Sequence, residues 1–289
     1  MTGWIDEVKE KIMNDRVTLI GNSIVQHGKN NDRIYLMKLS REDFPSIIGR
    51  LDELAKEERY SKIFAKVPAY AKDEFKKNGY LVEASIPRFF NGKEDVYFLG
   101  KYFDESRMLE NRIKEINEIL DVAGSKKEEE IEFFLPSGFE CKICNKSHIY
   151  QMADLYKKVF DTYPFPIFDP WYINKTMDEN FIYSSIWEND LIVALSSSEM
   201  DIDSKNVELT DFATLPEYQG NGFAIYLLNN MEKEMQKRKI RTAYTISRAV
   251  SFGINIIFAK MGYKYSGTLL NNTNISGNFE SMNVWYKFL

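Results

Sequence analysis

The spacing of apolar residues along the chain switches repeatedly between the two-residue period of a strand and the 3.6-residue period of a helix. Arg16 to Val25 (RVTLIGNSIV) and Arg33 to Leu39 are apolar and β-branched, so each predicts a strand. Gly28, Asn30, Asn31 and Asp32 form the turn between them. From Asp43 to Lys56, Phe44, Ile47, Ile48, Leu51, Leu54 and Ala55 recur at helical spacing. A strand at Lys62 to Val67 stops at Pro68, and a helix at Tyr70 to Lys77 ends on Asn78-Gly79, a favourable C-cap. Strands follow at Tyr80 to Phe90 and Asp95 to Tyr102. Asp104 to Val122 then reads as a charged helix with Met108, Leu109, Ile113, Ile116, Ile119 and Leu120 as its apolar stripe.

The polar run Gly124-Ser-Lys-Lys-Glu-Glu-Glu predicts a domain boundary, with one domain over residues 1–124 and a second over 133–289. The second opens with a strand at Phe139 to Cys144 and a helix at Ile149 to Phe160, followed by an aromatic and Pro-rich segment from Tyr163. Strands come at Phe181 to Trp187, Leu191 to Met200 and Val207 to Thr214, with Asn189-Asp190 as a hairpin turn. A long helix (Gly222 to Lys239) aligns Phe223, Leu227, Leu228, Met231 and Met235. A strand (Thr242 to Ser247), a helix (Ser251 to Lys260) and two strands (Tyr263 to Leu270, Glu280 to Phe288) complete the pattern. This order predicts a mixed α+β domain. There is also an echo: Phe75-Lys-Lys-Asn-Gly-Tyr80 matches Phe258-Ala-Lys-Met-Gly-Tyr263, each closing a helix before two strands. The first half therefore reads as a partial copy of the last part of the second.

Composition narrows the function. In 289 residues, 38 Lys and Arg face 43 Asp and Glu, a net charge of −5, which argues against nucleic acid as a partner. The cationic stretch Lys233 to Arg241 contains acids and sits on a helix face. No apolar run is long enough for a membrane helix, and the first residues, MTGWIDEVKEKIMNDR, lack a signal-peptide core. A cytoplasmic location is the expectation. Two Cys do not make a disulfide framework. Cys141-Lys-Ile-Cys144 with His148 lacks a second ligand pair, so no metal is expected.

The chemistry lies in Val207-Glu-Leu-Thr-Asp-Phe-Ala-Thr-Leu-Pro-Glu-Tyr-Gln-Gly-Asn-Gly-Phe-Ala. A strand passes through a Pro-containing turn into a Gly-rich loop that opens a helix. Small residues let an anion approach the backbone N–H groups, and the helix dipole favours negative charge there. No Gly-Lys-Ser/Thr follows, and the Gly spacing is not that of a dinucleotide fingerprint. The loop reads as a pyrophosphate cradle.

Gln219, Gly222 and Ala224 fit the Gln/Arg-x-x-Gly-x-Gly/Ala signature, and over residues 135–289 the chain resembles the GNAT acetyltransferase superfamily. The resemblance implies a GNAT fold and acetyl-CoA as co-substrate. It implies contacts to acetyl-CoA from Phe212, Ala213 and Thr214 through the strand backbone, from Gln219, Gly220, Asn221, Gly222, Phe223 and Ala224 in the loop, and from Asn255 and Phe258 on the later helix. Tyr163-Pro-Phe-Pro-Ile, Glu208-Leu-Thr-Asp-Phe-Ala-Thr, Ser247-Arg-Ala-Val-Ser-Phe-Gly-Ile-Asn and the Asn271-Asn-Thr-Asn-Ile-Ser-Gly segment further resemble the β-lysine N6-acetyltransferases. That likeness spans nearly the whole chain and implies transfer of acetyl to a side-chain amine, giving an osmolyte.

An alkyl ammonium titrates near pH 10.4, so a base must take its proton before it attacks a thioester. Glu208 and Asp211 are the candidates. Strict alternation puts them on opposite faces, and the β-bulge implied by the family breaks that parity. Glu208 is the preferred base, with Asp211 as second base or ammonium anchor. Where the family often carries a Tyr that protonates the leaving thiolate, this chain has Phe258. Tyr263, Ser251 and Tyr226 are the alternative hydroxyls, or the thiolate leaves unaided. Arg248, Asn271 and Asn272 are candidates for the substrate carboxylate, with Tyr163 and Phe165 as walls. Other small amines (lysine, a polyamine) and a non-catalytic acyl-CoA sensor are the alternatives. The first half lacks the loop and is expected to bind no coenzyme A, and a homodimer is open.

Overall fold

The computed structural model describes residues 15–126 and 131–289. The first fourteen residues, read above as lacking a signal sequence, and the acidic end of the boundary at 127–130 lie outside the described residues.

The first departure from pattern is at Gly21. The single strand expected over Arg16 to Val25 is a hairpin of β1 (Arg16–Ile20) and β2 (Ser23–Gly28). Gly21 turns at φ +64°, and a Cβ there would stand 2.0 Å from a carboxylate oxygen of Asp43. That carboxylate accepts the Asn22 N–H at 2.8 Å and the Ser23 hydroxyl at 2.6 Å, which fixes the turn. β3 (Arg33–Lys38) leads to α1 (Ile47–Glu57), which starts four residues later than its apolar spacing suggests. Pro45 holds Phe44 extended, so the helix cannot reach back through it. β4 (Lys62–Pro68), α2 (Ala69–Lys77), β5 (Leu81–Phe90) and β6 (Glu94–Tyr102) follow.

The expected helix over Asp104 to Val122 is a short 3-10 turn at Glu105–Met108 and then α3 (Ile113–Ser125). Met108, Leu109 and Ile113 are exposed, so half of the anticipated stripe lies at the surface. Arg107 overrides local propensity here. Its buried guanidinium donates to the carbonyls of Asn31 and Asn271 and to the Ser61 hydroxyl, which ties the segment to the sheet. Ile116, Ile119 and Ala123 of α3 are buried, and the helix packs on the carboxy-terminal half.

That half contains β7 (Phe139–Ile143), α4 (Ile149–Val159), α5 (Pro170–Asp178), β8 (Phe181–Glu188), β9 (Leu191–Asp201), β10 (Asn206–Thr214), α6 (Phe223–Lys237), β11 (Thr242–Arg248), α7 (Phe252–Lys260), β12 (Lys264–Ile275) and β13 (Asn278–Phe288). α5 was not anticipated, although Asp169 caps it and Pro170 is its first residue, a legible start signal. In β7's hairpin region the Cys144 thiol is buried against Ser185, and burial pushes it up.

The strands form one mixed sheet in the order β1-β2-β3-β4-β6-β5-β12-β13-β11-β10-β9-β8-β7. Only β3–β4 and β10–β11 are parallel, and each pair is bridged by a helix. The two halves share a topology: β1-β2-β3-α1-β4-α2-β5-β6 runs as β8-β9-β10-α6-β11-α7-β12-β13 does. The correspondence is wider than the Phe75 and Phe258 echo, which covers only the stretch from β4 and β11 onward. The halves meet where the corresponding strands β5 and β12 pair, at Gly267 and Ala84. Around that seam Tyr35, Phe64, Phe89, Phe98, Tyr244, Leu269 and Val284, from both halves, form one buried cluster. The fold is mixed α+β, as the order of the elements predicts. No helix among the described residues is long and apolar enough to cross a membrane.

Candidate functional site

β10 and β11 pair only at Asn206–Glu208 with Thr242–Tyr244. Beyond that point β11 continues on β13 and β10 continues on β9. The two strands splay, and their facing backbones open a wedge in the sheet. Within β10 the register with β9 slips between Thr210 and Ala213, where Asp211 adopts φ +55°. The bulge breaks alternation, so Glu208, Thr210, Asp211 and Phe212 all line one cavity of about 290 Å³.

Three carboxylates, Glu199, Glu208 and Asp211, line this cavity. Glu208 stands directly across the strand pair from Glu199, and like charges placed so repel. Burial pushes the Glu208 carboxyl up to about 7, Glu199 adds to the shift, and Lys66 and a hydrogen bond to Tyr244 oppose it. Burial raises Glu199 as well, against Lys66. Asp211 accepts hydrogen bonds from the Tyr163 and Ser197 hydroxyls, yet burial still raises its pKa. Lys66 comes from the amino-terminal half, and its ammonium donates to the Tyr244 hydroxyl at 3.3 Å. Burial works to lower its pKa, and Tyr35, Glu208 and Glu199 outweigh that and raise it. Such a site attracts a cation and also holds a carboxylate poised to take a proton near neutral pH.

At the mouth of the wedge, Pro216–Tyr218 form a 3-10 turn and Gln219 is extended. Gly220 and Gly222 take φ +85° and +74°. A Cβ at Gly220 would meet nothing within 4 Å, so these glycines are required for backbone conformation and not for packing. Gly222 caps α6 without a side-chain hydrogen bond, which leaves the first-turn N–H groups for an outside acceptor. Gln219, Gly220, Asn221 and Gly222 are exposed, Ala224 is half-buried, and Phe223 is core. The backbone donors and the open glycines fit a diphosphate.

Several anticipated residues do come together at the cavity: Glu208, Asp211, Phe212, Tyr163, Phe165, Arg248 and Asn272, together with Ser251. Others do not. Asn271 lies in a bulge of β12, and its amide is tied to the carbonyls of Arg107 and Leu109, away from the cavity. Arg248 lines the cavity but is already paired bidentately with Glu280, at 2.7 and 2.8 Å. Phe258 is fully buried, edge-on to Phe212 and Tyr263, and presents no surface to a cofactor. Tyr263 is buried in the same core, so of the three alternative hydroxyls only Ser251 reaches the cavity.

Asn255 also has a different job from the one the resemblance implies. It is fully buried. Its amide donates to the carbonyls of Arg248 and Ser251 at 3.0 and 2.7 Å, and its oxygen accepts from Asn283 and Trp285, both at 2.9 Å. It locks α7 to β11 and β13. Asn255→Ala is therefore expected to cost about 3 kcal/mol, because it leaves several buried groups unpaired. The thermal midpoint should fall by roughly 6–10 °C, with the acetyl-CoA dissociation constant unchanged. A weakened acetyl-CoA affinity with normal melting would contradict this assignment.

Sequence reasoning missed Glu199, Lys66, Tyr35, Arg33 and Tyr172, all of which line the cavity. Glu199 breaks an otherwise apolar and Ser-rich strand, which was a usable signal. The residues of the first half carry no local mark, since their role arises only when the two halves share one sheet.

The acetyltransferase (GNAT) family model matches residues 148–263. The chain is 46% identical over 276 residues to the β-lysine N(6)-acetyltransferase of Methanococcus maripaludis, covering 94% of this chain and 98% of that one. It is 34% identical over 269 residues to the β-lysine N(6)-acetyltransferase of Methanosarcina mazei, covering 85% and 98%. It is 33% identical over 282 residues to the N-acetyltransferase YodP of Bacillus subtilis, covering 92% and 96%. With likeness carried along almost the whole of each relative, and with a bulged strand leading into a glycine-opened helix, the chain belongs to the GNAT family of acetyltransferases.

Proposed function

We propose that the protein acetylates the N6 amine of β-lysine, with acetyl-CoA as donor. The observation that carries the reading is the cavity beside the wedge, lined by the carboxylates of Glu199, Glu208 and Asp211 and by the rings of Tyr163, Phe165 and Tyr172. It suits a short alkyl chain that ends in an ammonium. The identity to two relatives of that name supports the choice of substrate. Acetyl-CoA supplies the thioester, the acyl group and a thiolate leaving group.

The chain's own residues do the rest. The first-turn amides of α6, with Gly220 and Gly222 opening access, hold the diphosphate. The unpaired backbone edge of β10 at Phe212, Ala213 and Thr214 aligns the extended arm. Glu208 takes the ammonium proton, and its raised pKa matches it to neutral pH. Asp211, held by Tyr163 and Ser197, fixes the nitrogen's position. A backbone N–H of the bulged strand stabilises charge that develops on the carbonyl oxygen. The amino-terminal half binds no coenzyme A. Where α6 is preceded by an open glycine loop, α1 is preceded by Asp43, whose carboxylate is tied to the Asn22–Ser23 turn and places a negative charge before the helix.

Thiol release from acetyl-CoA, measured with β-lysine, α-lysine and spermidine, tests this reading. Release is expected to be fastest with β-lysine, with acetyl found on N6 in the product. Tight acetyl-CoA binding without thiol release for any amine would replace the enzyme with a sensor.

A further inference from the structure

Arg33 is the least compensated buried cation near the cavity. It sits on β3, two residues before Tyr35, is 4% exposed, and lines the cavity wall. Its Nη1 donates to the Asn272 carbonyl and, at 3.2 Å, to the Thr273 hydroxyl, while its Nε has no partner. The rings of Tyr35 and Phe64 lie 5.6 and 5.7 Å from its guanidinium carbon. Its neighbours are paired: Lys62 with Glu83 at 3.1 Å and Arg107 with Asp32 at 3.5 Å. No carboxylate among the described residues forms a direct ion pair with Arg33; Asp15 and Glu83 favour its charge only from beyond contact distance. A buried cation without a counter-charge in contact is costly, and a ligand that brings one relieves that cost.

Asn272 carries the complementary feature. The register of β12 with β13 slips between Leu269 and Thr273, and this sends Asn271 outward and brings Asn272 to the cavity. Its side-chain oxygen is buried and has no donor. One wall thus holds an unmatched cation beside an unmatched acceptor. A carboxylate and an ammonium on neighbouring carbons would satisfy both.

We propose that Arg33 and Asn272 form the receptor for the amino-acid head of the substrate. Arg33 takes the carboxylate, and Asn272 takes the ammonium that is not acetylated. The amino-terminal half then sets which amines are accepted. The inference rests on the reading that the enzyme acetylates a diamino acid.

The test compares amines with and without the carboxylate on the same full-length protein. The pairs are β-lysine with 1,4-diaminopentane, and α-lysine with cadaverine. For the wild type, kcat/KM should favour β-lysine over its decarboxylated partner by roughly 30-fold. Arg33→Met should lower kcat/KM for β-lysine by about that factor and leave the diamine unchanged. Arg33→Lys keeps the cation, and with it the fold, but loses the planar fork, so an intermediate preference is expected. A wild-type preference retained in Arg33→Met would overturn the inference. Should that variant fail to fold, a preference retained in full by Arg33→Lys would do so. Should the wild type ignore β-lysine, the function reading fails separately, and the α-lysine and cadaverine pair still decides whether Arg33 reads a carboxylate. Equal rates within that pair for the wild type would also overturn it.

Discussion

Glu208→Gln is expected to lower kcat by roughly 10²–10⁴-fold and leave the acetyl-CoA dissociation constant where it was. The amide keeps the size of the side chain and its place opposite Glu199 on β9, but it cannot take a proton. The pH dependence provides the sharper readout. In the wild type, burial and the facing Glu199 raise the Glu208 carboxyl to about 7, so it is protonated and idle below that pH. Turnover should therefore rise as pH passes upward through 7, and this limb should vanish in Glu208→Gln. Lys66 draws the Glu208 pKa down, so Lys66→Met should move the limb to higher pH. An unchanged profile in Glu208→Gln would transfer the role of base to Asp211, whose oxygens are already engaged by Tyr163 and Ser197.

Gly222→Asp is expected to weaken acetyl-CoA binding by roughly 100-fold. Two effects add. An L residue at φ +74° is strained, by about 1 kcal/mol for Asp, which tolerates that region better than most. A carboxylate at the mouth of the helix also repels a diphosphate and offers the α6 amides an internal acceptor. Stability should fall by no more than that strain, because the nearest atom to a new Cβ is Ile225 Cγ2 at 4.0 Å and no clash is added. Calorimetric titration with acetyl-CoA and a melting curve separate the two effects. Undiminished affinity would mean that the diphosphate sits elsewhere.

The sequence was most readable where a local rule and the tertiary structure agree. Gly222 and the strand before it announced an anion site because the φ requirement and the helix terminus are both local. The parity break between Glu208 and Asp211 needed the family likeness, since nothing in Glu-Leu-Thr-Asp-Phe-Ala states that a bulge will form there. Met108 and Leu109 misled for the opposite reason. Their spacing was helical, and long-range hydrogen bonds of Arg107 decided the conformation. Asn255 looked like a ligand contact because its polarity was visible and its burial was not. Arg33 and Lys66 were unreadable because each acquires its setting from strands in the other half of the chain.

The strand order has one more consequence, for the order in which the molecule is assembled. β12 and β13 lie at the middle of the sheet, yet they are translated after every element that flanks them. β13 must slide in against β11, and β12 against β5, a partner far back in the chain. Until then a ribosome-bound chain carries two separate sheet fragments, each with an open inner edge. The nascent protein is therefore most exposed to misassociation late in its synthesis, and one hairpin closes both edges at once.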